Sequence, residues 1–306
     1  MLKSVMVTNP SDDYLVMSLT EPEKSGFIIR SIEGLGPAKT NINIKGNSSA
    51  SGSVFNSAQT PSRNIVFVLE FIASPTIEKT RLRSYQFFPN ESKVTLDFTT
   101  DEGIFQIEGY VESNEPTIFS DKQAATISIM CPNPFFWPST YVNNSGDIAA
   151  VSSLFEFPFS NETETPEIIF GERLDQTSQE IPITYTGTIA VGPILTLTAV
   201  GGAIVNPVIY FESANDPDLI QALKLRWTTQ MPQLEDGDVL VIVCERGMKS
   251  VTRYHDTEEF NYLGTVTVDS DWPILKPGEN TFTYEAESGA EFIRFGYEYP
   301  IRYIGI

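Results

Sequence analysis

Residues able to do chemistry are few in this chain of 306 residues. His255 is the only histidine, so a Ser-His-Asp or Cys-His apparatus would have to be built on it. It lies in RYHDTEE, which reads as a polar loop beside a strand end, and no Gly-x-Ser-x-Gly accompanies it. Cys131 and Cys244 each close an apolar run; two cysteines in a chain of this size read as buried thiols rather than a disulfide scaffold. One histidine with two separated thiols does not make a zinc site of the usual kind. Glu235, Asp236 and Asp238 around Gly237 offer oxygen ligands for calcium, but their spacing departs from the twelve-residue loop, and an Asp-Gly turn feeding a strand accounts for them. Gly34-Leu35-Gly36-Pro37 demands a sharp turn and lacks the lysine and following helix of a phosphate loop. Trp137, Trp227 and Trp272 could offer flat faces to a sugar, although packing is the commoner use of an isolated tryptophan. Trp272, beside Pro273 in a turn, is kept as the candidate carbohydrate contact. With 40 acidic residues some carboxylate pair could have a glycosidase spacing, but separation in space is not readable from sequence. No catalytic residue, cofactor site or metal ligand is assigned.

The elements that would position these residues are strands. Apolar content of 41% and charged content of 20% mark a globular chain with room for two domains. Net charge is −20 and lopsided: residues 1–140 hold 11 Lys and Arg against 15 Asp and Glu, residues 141–306 hold 9 against 25. Such a surface repels phosphate backbones and anionic lipid heads, which disfavours nucleic-acid reading and membrane association. No run reaches the length of a membrane span, and MLKSVMVTNPSDDY lacks the apolar centre of a signal peptide, so assembly in a cytoplasm is expected.

From Phe105 to Val111, and again from Ala125 to Cys131, apolar residues alternate with polar ones, the period of two of strands buried on one face. Pro132, Pro134 and Pro138 cannot donate to a ladder, so Cys131 is expected near the last residue this sheet uses. Upstream, Asn64–Ile72 reads as a central strand covered on both faces. KGNSSASGS (45–53) reads as a flexible connection, with TNINIK before it and VFN after it suited to a hairpin arm. Ser74-Pro75 is expected to start a helix with proline at its first position, with Ile77, Leu82, Tyr85 and Phe88 buried and Arg81 and Arg83 on a solvated face, ending at Pro89-Asn90. Val94, Leu96 and Phe98 form a strand that Asp101-Glu102-Gly103 turns back onto the next.

These elements predict an N-terminal β-sandwich with one packed helix and a hairpin arm over residues 1–138, and a polar linker at 139–153. In the second domain, 154–306, Glu156–Phe159 opens the chain and the acidic stretch 161–167 reads as a loop. Short strands follow at Ile181–Tyr185, Ile194–Val200, Pro207–Phe211, Leu223–Thr228, Val239–Cys244, Lys249–Tyr254, Thr281–Tyr284 and Glu291–Tyr297, the pattern of a sandwich or barrel. A helical turn is expected only near Asn215–Ile220.

The order of short words along the chain resembles the distal tail proteins, hub subunits at the tip of long non-contractile phage tails. GYVES-x-EP-x-IFS (109–120) followed by IS-x-x-CP-x-PFF (127–136) is similar to the end of their N-terminal domain. Ile32-x-Gly34-Leu35-Gly36-Pro37, Gly52-Ser53-x-Phe55, Arg63-Asn64-Ile65, Arg81-Leu82 and Phe88-Pro89 resemble the rest of it. Gly237-Asp238, Gly247-x-Lys249, Asn261-x-Leu263-Gly264, the run Ser270-x-Trp272-Pro273-x-Leu275-x-Pro277-Gly278-x-Asn280 and Tyr303-x-Gly305 resemble their galectin-like C-terminal domain. The resemblance implies a non-enzymatic homohexameric ring in the virion tail tip. The ring would join the tail-tube protein to the tip, tail-associated lysin or receptor-binding proteins. The 45–53 region would belong to an arm reaching a neighbouring copy, and the galectin-like sandwich would hang outside. An adhesin whose second domain grips a host cell-wall saccharide is the alternative; a wall hydrolase finds no support in these residues.

Overall fold

The computed structural model describes residues 1–46, 51–139, 145–148, 151–153, 171–173, 180–213 and 216–306. The acidic stretch 161–167, the opening at Glu156–Phe159, part of 139–153 and part of 45–53 lie outside the described residues. The chain divides into two compact units, Met1–Val142 with Arg302–Ile306, and Asn143–Ile301.

In the first unit the alternating runs become strands β1 (Ser4–Thr8), β2 (Tyr14–Ser18), β3 (Phe27–Glu33), β4 (Asn41–Gly46), β5 (Ser53–Gln59), β6 (Arg63–Phe71), β7 (Lys93–Thr99), β8 (Ile104–Thr117), β9 (Ala124–Cys131) and β10 (Trp137–Pro138), with helices α1 (Pro22–Ser25) and α2 (Ile77–Phe87). All but β4 and β5 join one antiparallel sheet in the order β2-β1-β7-β8-β9-β6-β3. The long β8 pairs with β9 along its second half and takes β10 beside Phe105 and Gln106. The sheet therefore continues past Cys131, because two residues beyond Pro132 and Pro134 regain extended geometry against β8.

Phe67 on β6 stacks on Phe98 on β7 at 6.3 Å between ring centres. These strands lie three places apart in the sheet, about 14 Å along it at the usual inter-strand spacing. The sheet must therefore fold over and enclose the core between its halves. That core is Val5, Val7, Leu15, Met17, Ile65, Leu69, Val94, Leu96, Ile107, Ile127 and Ile129, with the rings of Phe27, Phe67, Phe88, Phe98 and Phe136. Gly109 in β8 has no room for a side chain: a Cβ there would meet Ile129 Cγ2 at 2.6 Å and Cys131 Sγ at 2.8 Å.

α2 starts two residues later than its proline suggests. Thr76 is the N-cap, its hydroxyl oxygen accepting from the Lys79 amide at 3.2 Å, and Pro75 precedes it. Its buried face matches the expected one only at Phe88. Thr80, Ser84 and Phe87 point inward with the C-cap Phe88, while Ile77, Leu82 and Tyr85 are exposed. Asn114 on β8 donates to the Ser84 and Phe88 carbonyls, so polar anchoring rather than an apolar stripe sets the helix's rotation. Arg81 pairs with Glu78 at 3.7 Å, and Arg83 donates to the Ser25 carbonyl.

Arg63, 3% exposed at the start of β6, ties the unit together. Its guanidinium donates to the carbonyls of Pro134, Gly34, Gly36 and Ile304 and lies 4.6 Å from the centre of the Phe136 ring. Gly34 adopts φ +87°, and a Cβ there would lie 2.1 Å from the Asn64 carbonyl oxygen, so the sharp turn is built against the strand that carries Arg63. The chain's end is held in the same place: Phe136 and Tyr303 exchange amide hydrogen bonds of 3.0 and 2.8 Å, and Ile306 donates to Leu35.

The second unit contains β11 (Ser145–Ile148), β12 (Val151–Ser153), β13 (Gly171–Arg173), β14 (Ile181–Tyr185), β15 (Ile194–Ala199), β16 (Val205–Ser213), β17 (Asp216–Lys224), β18 (Val239–Val243), β19 (Ser250–His255), β20 (Glu258–Asn261), β21 (Gly278–Ser288) and β22 (Ile293–Glu298). Six form one sheet, β11-β22-β15-β18-β19-β20, and four another, β14-β21-β16-β17. Phe295 of the first stacks on Tyr284 of the second at 5.5 Å and meets Phe282 at 6.1 Å, so the two sheets face each other across a shared aromatic core. The helical turn expected near 215–220 is instead the start of β17, whose pairing with β16 outweighs the turn preference of Asp216-Pro217.

Candidate functional site

The feature of the first unit least explained by its own stability is the hairpin β4–β5. Every described residue of both strands is exposed, and the pair joins no other sheet. Ile42 and Ile44 lie two apart on β4 and share a face; their partners on β5 are Ala58 and Phe55. One side of the ribbon is thus an apolar stripe, with Ile42 64%, Ile44 59% and Phe55 62% exposed. On the other side Asn43 faces Ser57 and Lys45 faces Val54. A lone two-stranded ribbon is marginal in water, and an uncovered apolar face on it is what a docking element looks like before it docks. The alternation of isoleucine with asparagine in TNINIK was the sequence signal for it.

The residues singled out for chemistry are placed differently. His255 is the last residue of β19, not part of a loop, and a turn at Asp256-Thr257 leads directly into β20. It stands across the β18–β19 ladder from Asp238, whose carboxylate is fully buried. Asp238 Oδ1 lies 2.6 Å from His255 Nδ1, and Oδ2 takes Arg253 at 2.6 Å and the Glu235 amide at 2.6 Å. Arg253 in turn donates to the Tyr262 hydroxyl at 2.7 Å. The hydrogen bond and charge of Asp238 raise the His255 pKa above its ordinary value. Sequence reasoning missed this network because the β18–β19 register that brings residues 238 and 255 together is not written in either segment.

Asp238 is therefore committed to protein partners, and Asp236 Oδ1 accepts from the Gly201 amide at 2.6 Å. Glu235, Asp236 and Asp238 form a turn, closed by the Asp238 amide on the Glu235 carbonyl, and among the described residues no group of three or more metal-binding side chains converges. Cys131 and Cys244 are both buried free thiols, and burial pushes each up to about 12. Trp137 donates to Gln106 Oε1 at 2.8 Å, and Trp227 donates to the Ile204 carbonyl and packs on Tyr262, so both are structural. Trp272 is half-buried with the Lys249 ammonium 4.9 Å above its ring. Lys249 also lines an open groove of about 490 Å³ with Ser250, Thr252, Glu259, Asn261 and Leu263. Among the described residues no helix is long and apolar enough to cross a membrane.

A mainly β chain of two units, with a ring-stacked core in each and a free apolar ribbon on the first, defines the class. No family model matches the sequence, and no curated protein matches it. Among solved structures the fold is that of a phage hub protein: the Dit protein of phage SPP1, described as a paradigm of the hub adsorption apparatus in phages infecting Gram-positive bacteria. The likeness has a TM-score of 0.57 at 10% identity and covers 98% of this chain and 99% of that one. Chains of the phage p2 baseplate in its activated conformation, with strontium and with calcium, match at TM-scores of 0.40 and 0.38 and identities of 13% and 12%, each over 97% of both chains.

Proposed function

We propose that this protein is a structural subunit of a phage tail tip, a non-enzymatic hub whose first units close into a homohexameric ring between the tail-tube protein and the tip or receptor-binding apparatus. The observation that carries the reading is the likeness to the SPP1 hub protein over almost the full length of both chains, so that both units are accounted for together. The apolar stripe of the β4–β5 ribbon supports it, since a heterologous contact that repeats around a closed ring covers such a stripe on every copy. The acidity of the chain suits a part that DNA passes without sticking. Assembly takes place in the bacterial cytoplasm and the product resides in the virion. Light scattering and cryo-EM on the purified protein, alone and with tube and tip proteins, are expected to show a ring of about six copies; a monomer under both conditions would overturn the reading.

A second reading, saccharide binding by the second unit, is favoured by one observation: the polar groove at Lys249, Thr252, Glu259 and Asn261 beside Trp272. Cell-wall glycan binding that is lost in Trp272→Ala would establish it as a separate activity.

A further inference from the structure

We propose that the groove on the β19–β20 ladder takes an uncharged pyranose, bound by donors and acceptors set side by side, and that it does not take an anionic wall polymer. This rests on the saccharide reading above and names its ligand class and the residues that contact it.

On β19 the side chains of Val251 and Arg253 turn inward and those of Ser250, Thr252 and Tyr254 outward. The antiparallel register sets Asn261 across from Thr252 and Glu259 across from Tyr254, so these four share one outward face at the edge of the six-stranded sheet. A slip of one residue would put Phe260 there in place of both polar groups. The Leu263 amide donates to Asn261 Oδ1 at 2.9 Å, which fixes the carboxamide and leaves its Nδ2 free to donate. Lys249 is the second positioned donor, its ammonium 4.9 Å from the centre of the Trp272 ring. Trp272 therefore holds a cation in place and does not offer that face to a sugar. The ring available for the C–H side of a pyranose is Tyr254, 40% exposed. Neither Lys249 nor Glu259 belongs to a salt bridge among the described residues, so both remain available to a ligand.

The ligand class follows from this inventory. A sugar hydroxyl both donates and accepts, so its site needs both kinds of partner within one ring's reach. Lys249 and Asn261 donate, Glu259 accepts, and Ser250 and Thr252 do either, around an open groove of about 490 Å³, a size that suits a small ligand. One lysine and one glutamate leave the groove without net charge. Residues 141–306 hold 9 Lys and Arg against 25 Asp and Glu, a field that repels a phosphate- or uronate-bearing chain and leaves an uncharged one alone.

The test titrates the full chain, by calorimetry, with neutral glucan, galactan and rhamnan oligosaccharides, and in separate arms with poly(glycerol phosphate) and polygalacturonate. Binding on a neutral arm is expected, unchanged between about 0.05 and 0.5 M salt, with none on either anionic arm. Glu259→Gln and Asn261→Ala, both at exposed positions, are each expected to weaken it about tenfold or more, while Phe260→Ala, on the other face of β20, leaves it unchanged. Trp272→Phe, which keeps a ring beneath Lys249, is expected to bind better than Trp272→Ala. Binding on an anionic arm that fades with salt overturns the ligand class but not the groove. Neutral binding that Glu259→Gln and Asn261→Ala leave at wild-type strength overturns the groove but not the saccharide reading, and no binding on any arm overturns both.

Discussion

Replacing Ile44 and Phe55 together with serine removes most of the arm's apolar stripe at positions the isolated subunit does not bury. Complete burial of such a side chain is worth about 1.5–3 kcal/mol. The two are 59% and 62% exposed, so what remains to be gained on docking is about 1–2 kcal/mol each, or about 2–4 kcal/mol per contact. At about 1.4 kcal/mol per decade this weakens each subunit contact by roughly 30-fold to 1,000-fold, and a closed ring loses it at every interface. The subunit itself loses only the cross-strand pairing of these two residues, about 0.2–1 kcal/mol confined to the ribbon. Sedimentation velocity over a concentration series is expected to show the double variant shifted from ring to monomer, with the thermal midpoint of the main transition unchanged. Val54→Ser, 63% exposed but on the opposite face beside Lys45, is the control and is expected to retain the ring. A double variant that assembles at the wild-type concentration, or a Val54 variant that fails as badly, would refute the argument from the stripe.

Arg63→Ala leaves four buried or part-buried carbonyls without their donor and empties the space over Phe136; it is expected to cost about 1.5–3 kcal/mol and to loosen residues 302–306, read as a lower urea midpoint and faster proteolysis there. Gly109→Ala drives a methyl into Ile129 and Cys131 and is expected to cost about 1–3 kcal/mol by chemical denaturation. Because Asp238 raises the His255 pKa, the stabilisation is fully present below the unfolded value of about 6.5 and is lost as pH rises through the folded one. Thermal midpoints of the second unit should therefore fall between weakly acidic and weakly alkaline pH, and His255→Gln should flatten that slope.

What could be read from the residues themselves was the local periodicity. Alternation gave β7 and β9 close to their observed limits, since side-chain period is a property of the strand alone, but it caught only the first half of β8, which runs on to Thr117. The apolar run at 64–72 gave β6, although that strand alternates between buried and more exposed residues rather than being covered on both faces. The arm was visible in TNINIK for the same reason, and the paucity of catalytic side chains followed from composition. The helix α2 shows where local reasoning stops. Its apolar residues suggested one buried face, but capping by Thr76 and the anchoring of Ser84 and Phe88 by Asn114, thirty and twenty-six residues on, chose another. Pairings between distant segments were decided only in three dimensions. The Asp238–His255 contact depends on a ladder register, the fold-over of the eight-stranded sheet on Phe67 meeting Phe98, and the binding of residues 302–306 to the first unit on Arg63 reaching the Ile304 carbonyl together with the Phe136–Tyr303 bridge. Each joins groups whose proximity is fixed by the packing of everything between them, and a chain read one segment at a time contains no term for that.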